Sequence, residues 1–90
     1  LVEEMDIDWA EKGLSKLEEI YGSAYFLPFF KGILMRRKGN LDKALLFFEN
    51  SIDIQPSGEE KSLALFYMAD IFIQKEEYKR AILLLDEAID

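Results

Sequence analysis

The sequence predicts an all-α fold, with about five helices stacked as hairpins in a single domain over residues 1–90. Three observations predict it. The first is self-similarity. The stretch from Gly39-Asn40-Leu41-Asp42-Lys43-Ala44 through Phe48, Ile52 and Pro56 has a downstream counterpart in Glu76-Glu77-Tyr78-Lys79-Arg80-Ala81 through Leu85. A fainter counterpart lies upstream in Asp6-Ile7-Asp8-Trp9-Ala10, with Leu14 in the place of Phe48. The offset is 34 from Ala10 to Ala44 and 37 from Ala44 to Ala81. A period of about 34 residues carried by helix-spaced apolar positions is the signature of stacked helical hairpins. The second is that apolar residues recur every three or four positions, and no stretch alternates with period two. The third is that the connections are short, so consecutive helices must run antiparallel.

Each element has a start and a stop. Residues 1–5 read as a frayed lead-in. Asp6 or Asp8 caps a first helix that carries Trp9, Leu14, Leu17 and Ile20. Gly13 weakens it by about 1 kcal/mol relative to Ala, and Tyr21-Gly22-Ser23 ends it. Pro28 is tolerated only in a first turn, so the second helix starts near Tyr25–Leu27. It runs to about Lys38 and ends at Gly39, after a basic last turn of Arg36, Arg37 and Lys38 that suits the helix dipole. Asn40 caps a third helix over 41–54, which Pro56 stops. Ser57 and Glu60 have the spacing of a capping box for a fourth helix over about 59–75. After Glu76-Glu77 a fifth helix runs from Tyr78 to the end.

Composition narrows the function. Eleven basic residues against 18 acidic ones give a formal charge of −7, which opposes a nucleic-acid binder, whose affinity needs clustered cations. There is no His and no Cys. The usual general base, thiolate chemistry and the commonest metal ligands are therefore missing. The redox compartment is left open, with a cytoplasmic setting as the working expectation. The longest apolar run, Leu63 to Ile73, is too short to span a bilayer. The chain begins at Leu1 rather than Met, so the lack of a signal peptide decides little. Asp6-Ile7-Asp8 lacks the Gly and Glu of a calcium loop. Glu76-Glu77 and Asp86-Glu87 are adjacent pairs that diverge and cannot face each other as acid and base. No enzyme, cofactor or metal site is expected.

The residues resemble the tetratricopeptide repeat (TPR) family. Leu65, Met68, Ala69, Phe72, Tyr78, Ala81, Leu85 and Ala88 follow its pattern over a repeat at 62–90. Gly32, Met35, Ala44, Phe48, Ser51 and Pro56 follow it over a repeat at 25–58. That repeat departs from the pattern at Pro28 and Lys31, where the family has large apolar residues. Residues 6–21 supply only a preceding half repeat, with Ala10, Leu14 and Gly22. The three extra residues of the second offset fall in the loop between Pro56 and Lys61. The resemblance implies a right-handed α-solenoid. Gly32 with Ala44, and Ala69 with Ala81, then mark the points where paired helices cross closely.

The resemblance also implies a function. In the family, the first helix of each repeat lines a concave groove that holds a peptide or a partner helix. Here that groove comprises Phe26, Phe29, Phe30, Ile33, Arg36 and Arg37, with Phe66, Tyr67, Asp70 and Ile73 on the fourth helix. The competing interpretation is that such aromatic stripes pack between repeats. Family members that clamp a C-terminal carboxylate use Lys and Asn where this chain has Phe29, Ile33 and Tyr67, so an apolar or amphipathic segment is the expected ligand. A basic cluster such as Arg36-Arg37-Lys38 is more often a solvated helix end than an acid-binding site. The last helix carries Ile82, Leu83, Leu84 and Ile89 with no following helix to cover them. They predict either a homodimer or contact with further repeats of a longer chain. The expected function is thus a protein-binding scaffold module, with a self-associating structural segment as the alternative.

Overall fold

In a computed structural model, which describes residues 2–22 and 26–89 and the side chains from Asp6 onward, the chain forms five helices and no strand among the described residues. They are α1 (Val2–Tyr21), α2 (Leu27–Arg37), α3 (Leu41–Ile54), α4 (Glu59–Gln74) and α5 (Tyr78–Ile89). Tyr25, the earliest expected start of α2, lies outside the described residues, as do Ser23 and Asp90.

Two expectations are corrected. Residues 2–5 are not a lead-in, and neither Asp6 nor Asp8 is a cap, because α1 already begins at Val2. No Gly or Pro interrupts the chain before Gly13, and Glu and Met are good helix formers. Ser57 does not cap α4. The N-cap is Gly58, at φ 92° and ψ −172°, with no side-chain cap bond. Only glycine enters that region readily, so the chain passes into α4 through a backbone conformation rather than a capping box. By contrast Asn40 caps α3 as expected, its Oδ1 accepting from the Lys43 N–H at 3.3 Å.

α2 packs against α3, and α4 against α5, as antiparallel hairpins. α3 also packs on α4, and α2 touches α4, whereas among the described residues α1 meets only α2 and α5 meets only α4. The two hairpin turns repeat bond for bond at an offset of 37. The Gly39 N–H donates to the Arg36 carbonyl and Asn40 to Met35, at 3.0 and 2.9 Å; Glu76 donates to Ile73 and Glu77 to Phe72, at 3.0 and 2.8 Å. The second bond of each turn spans five residues and closes the end of α2 and of α4, as in a Schellman motif.

The core lies where the hairpins cross and stack. Phe29, Ala44, Phe48, Ala64, Met68 and Ile71 form one buried cluster. Ala69, Phe72 and Ala81 form a second, and Leu45 and Leu84 pack against both. Gly32 is buried at the α2–α3 crossing, and a Cβ there would lie 2.8 Å from the Phe48 ring. The absent side chain lets the helices approach until the ring fills the space. Lys31, at a position expected to be apolar, reaches Glu18 on α1 at 3.3 Å and lies over the Phe47 ring at 5.9 Å. Its stem covers apolar surface while its charge stays wet.

Candidate protein-binding surface

The inward row of α2 and α4 divides into a buried seam and an open face. Phe29 is 8% exposed and meets Phe48 and Tyr67 edge-on at 5.9 Å each. Tyr67 stacks parallel on Phe48 at 5.4 Å. Above them Arg36 donates to Asp70 Oδ2 through Nε at 3.0 Å and Nη2 at 2.5 Å, and its guanidinium lies 5.3 Å from the Tyr67 ring. Gln74 donates to the same oxygen at 2.9 Å. These hydrogen bonds, first that from Arg36, hold the Asp70 carboxyl below its ordinary pKa against a smaller opposing effect of burial. Phe29, Tyr67, Arg36 and Asp70, expected to line a groove, join α2 to α4; Phe29 is buried in that seam, while Tyr67, Arg36 and Asp70 stay partly exposed.

The open face belongs mainly to α4. Phe66 and Ile73 are each 45% exposed, and Leu63 lies on the same side of the helix. On α2, Phe30 is exposed and Ile33 half-buried. Phe26 is half-buried, edge-on to Tyr21 and Phe30 at 6.0 and 6.1 Å. The three consecutive cations separate. Arg36 pairs with Asp70, Lys38 pairs with Glu11 at 2.7 Å, and Arg37 makes no ion pair among the described residues. They do not converge on one ligand.

A second apolar surface was not anticipated. α1 and α2 leave an open cleft of about 450 Å³ between them. Its α1 wall is Ala10, Gly13, Leu14 and Leu17, and its α2 wall is Phe30, Ile33 and Leu34, with Arg37 at the rim. The signal was present in the faint upstream counterpart, since Ala10 and Leu14 hold the registers of Ala44 and Phe48. A larger depression, about 660 Å³, runs from Pro56 to Glu87 and Ala88. The Lys61–Glu87 ion pair at 3.4 Å ties its walls together.

On α5, Ile82, Leu83 and Ile89 are exposed, Ile89 by 76%. Leu84 is not part of that surface, because it packs into both core clusters. Among the described residues no three acidic side chains group as a metal site, and no helix is long and apolar enough to cross a membrane. No protein-family model matches the chain, and neither a curated protein nor a solved structure matches it.

Proposed function

We propose that this chain is a TPR-like protein-interaction module that binds an extended peptide or a partner helix along the inward side of α2 and α4. The observation that carries this reading is the half-exposed row of Leu63, Phe66 and Ile73 beside the Arg36–Asp70 pair. A contiguous exposed apolar patch is characteristic of an interface. The Phe29–Tyr67 seam packs α2 on α4 without a ligand, and a preformed surface lowers the ordering cost of docking. The turns and close crossings that recur at an offset of 37 support the likeness to a right-handed repeat array. A ligand's apolar side chains would seat on Phe66 and Ile73, with Asp70 and Arg36 available to its backbone.

Peptides selected by phage display against the whole chain, then measured by calorimetry, test this. Phe66→Ala should weaken a selected peptide by about 2 kcal/mol, roughly 30-fold, with the thermal midpoint nearly unchanged. Phe29→Ala is not an equivalent probe, because it empties a core position and costs stability of about 3–5 kcal/mol. Binding that survives Phe66→Ala combined with Ile73→Ala excludes this face. A second reading, self-association through α5, is favoured by the exposure of Ile82, Leu83 and Ile89.

A further inference from the structure

The end turns of α5 carry their charges against the helix dipole. Lys79 and Arg80 stand at its positive end, and Asp86 and Glu87 at its negative end, where each sign is disfavoured. Two of the four are compensated within the molecule. Arg80 pairs with Glu77 at 3.5 Å, and Glu87 with Lys61 at 3.4 Å. Lys79 and Asp86 are exposed and make no ion pair among the described residues. They stand about two turns apart, about 10 Å, along the middle of the outward face. Ile82 and Ile89 flank them on one side and Leu83 on the other, while Ala81, Leu84 and Leu85 face the core. The midpoint of Lys79 and Asp86 falls between Ile82 and Leu83. The outward face is therefore self-complementary: a cation and an anion stand at equal distances on either side of an apolar centre.

Resting on the reading of α5 as a self-associating face, we propose that a second copy of this chain covers it through an antiparallel α5–α5 pair, in which Lys79 meets the partner's Asp86. A two-fold axis perpendicular to the helix, passing between Ile82 and Leu83, generates the contact. This is the isologous arrangement commonest among homo-oligomers. The axis lays Ile82 on the partner's Ile82 and Leu83 on the partner's Leu83. It brings Ile89 beside the partner's Tyr78, which is also exposed. It forms the Lys79–Asp86 pair twice. Each Lys79 then lies at the negative end of the other helix and each Asp86 at its positive end, so the pair supplies the dipole complement that α5 lacks by itself. A parallel pair would set Lys79 against Lys79 and Asp86 against Asp86, and like charges across a contact oppose it. The charges thus select the occupant. A copy of α5 offers both opposite signs at the required spacing, with no residue from outside this chain.

Sedimentation equilibrium of the whole chain, carried to about 1 mM, should show a reversible monomer–dimer equilibrium, since one helix pair lies at the small end of stable interfaces, below about 1,200 Å². Lys79→Asp and Asp86→Lys should each weaken self-association roughly tenfold, because both set like charges across the contact. Mixed in equal amounts, the two variants should form a heterodimer about as tight as the wild-type dimer, because each offers the other the opposite charge. Combining both changes in one chain should restore the homodimer. Neither change weakens the fold, since both positions are exposed and each new charge suits the dipole of α5; helical circular dichroism checks this. Asp86→Lys lowers the net negative charge of the chain, so a general effect of charge would strengthen its association rather than weaken it. A dimer indifferent to both changes, or variants that fail to pair with each other, overturns the antiparallel register and leaves α5 self-association standing. A chain that stays monomeric to about 1 mM overturns both.

Discussion

Glu76 occupies the left-handed region at φ 63°, in the register where the preceding hairpin has Gly39 at φ 84°. A β-carbon there crowds the backbone, and glycine relieves it at the cost of greater freedom in the unfolded chain. Glu76→Gly should therefore stabilise the protein by about 0.5–1 kcal/mol. Urea melts in which the variant matches or falls below the wild type would refute this. Asp70 makes the second residue-scale prediction. Its pKa is lowered in the fold by the Arg36 and Gln74 hydrogen bonds. Its stabilising effect is present above the unfolded carboxyl value, about 3.9, and is lost as the pH falls through the depressed folded value. Asp70→Asn should be less stable than the wild type between pH 5 and 7, and the difference should close at the acid end. A stability difference that is constant from pH 7 to pH 2 would exclude this linkage.

The helix that shows most clearly how one element serves two purposes is α5. Ala81, Leu84 and Leu85 face the core, while Ile82, Leu83 and Ile89 face outward. Each large aliphatic left in water forgoes roughly 1.5–3 kcal/mol of burial, so association of this face is favourable. The chain should form dimers at high concentration by light scattering. Ile82→Glu with Ile89→Glu should return it to monomer while leaving the helical circular dichroism intact. Leu84→Glu should instead unfold the protein, because it drives a charge into both core clusters. A wild type that stays monomeric at millimolar concentration would assign the face to some other contact.

At the scale of the whole molecule, attachment is uneven. α2 to α5 share a core, but among the described residues α1 is joined only to α2. Two ion pairs that reinforce it, Lys31–Glu18 and Lys38–Glu11, are partly exposed, and such pairs contribute about 0–1 kcal/mol each. Local opening free energy follows the contacts that must be broken. Amide exchange should thus be fastest in α1 and slowest in α3 and α4, with α1 opening below the global unfolding free energy. Uniform protection across the five helices would show that α1 is held by more than its contact with α2.

The sequence by itself determined what is local or periodic. Apolar spacing placed the helices, Asn40 and Gly39 marked their ends, and the resemblance to a repeat pattern implied close-packed positions for Gly32, Ala44, Ala69 and Ala81, where all four are buried. A cap is read from a few adjacent residues, and a period needs no knowledge of neighbours. Only the tertiary structure decided which apolar residues remain in water. Phe29 and Phe66 hold equivalent registers, yet one is 8% exposed and the other 45%. The difference is that Tyr67 of α4 covers Phe29, and no helix among the described residues lies in the corresponding place over Phe66. Burial depends on which helix comes next in space, so an equivalent register yields a seam at one position and an exposed face at another. The α1–α2 cleft has the same origin: its residues carry a core pattern, and stacking alone left them open.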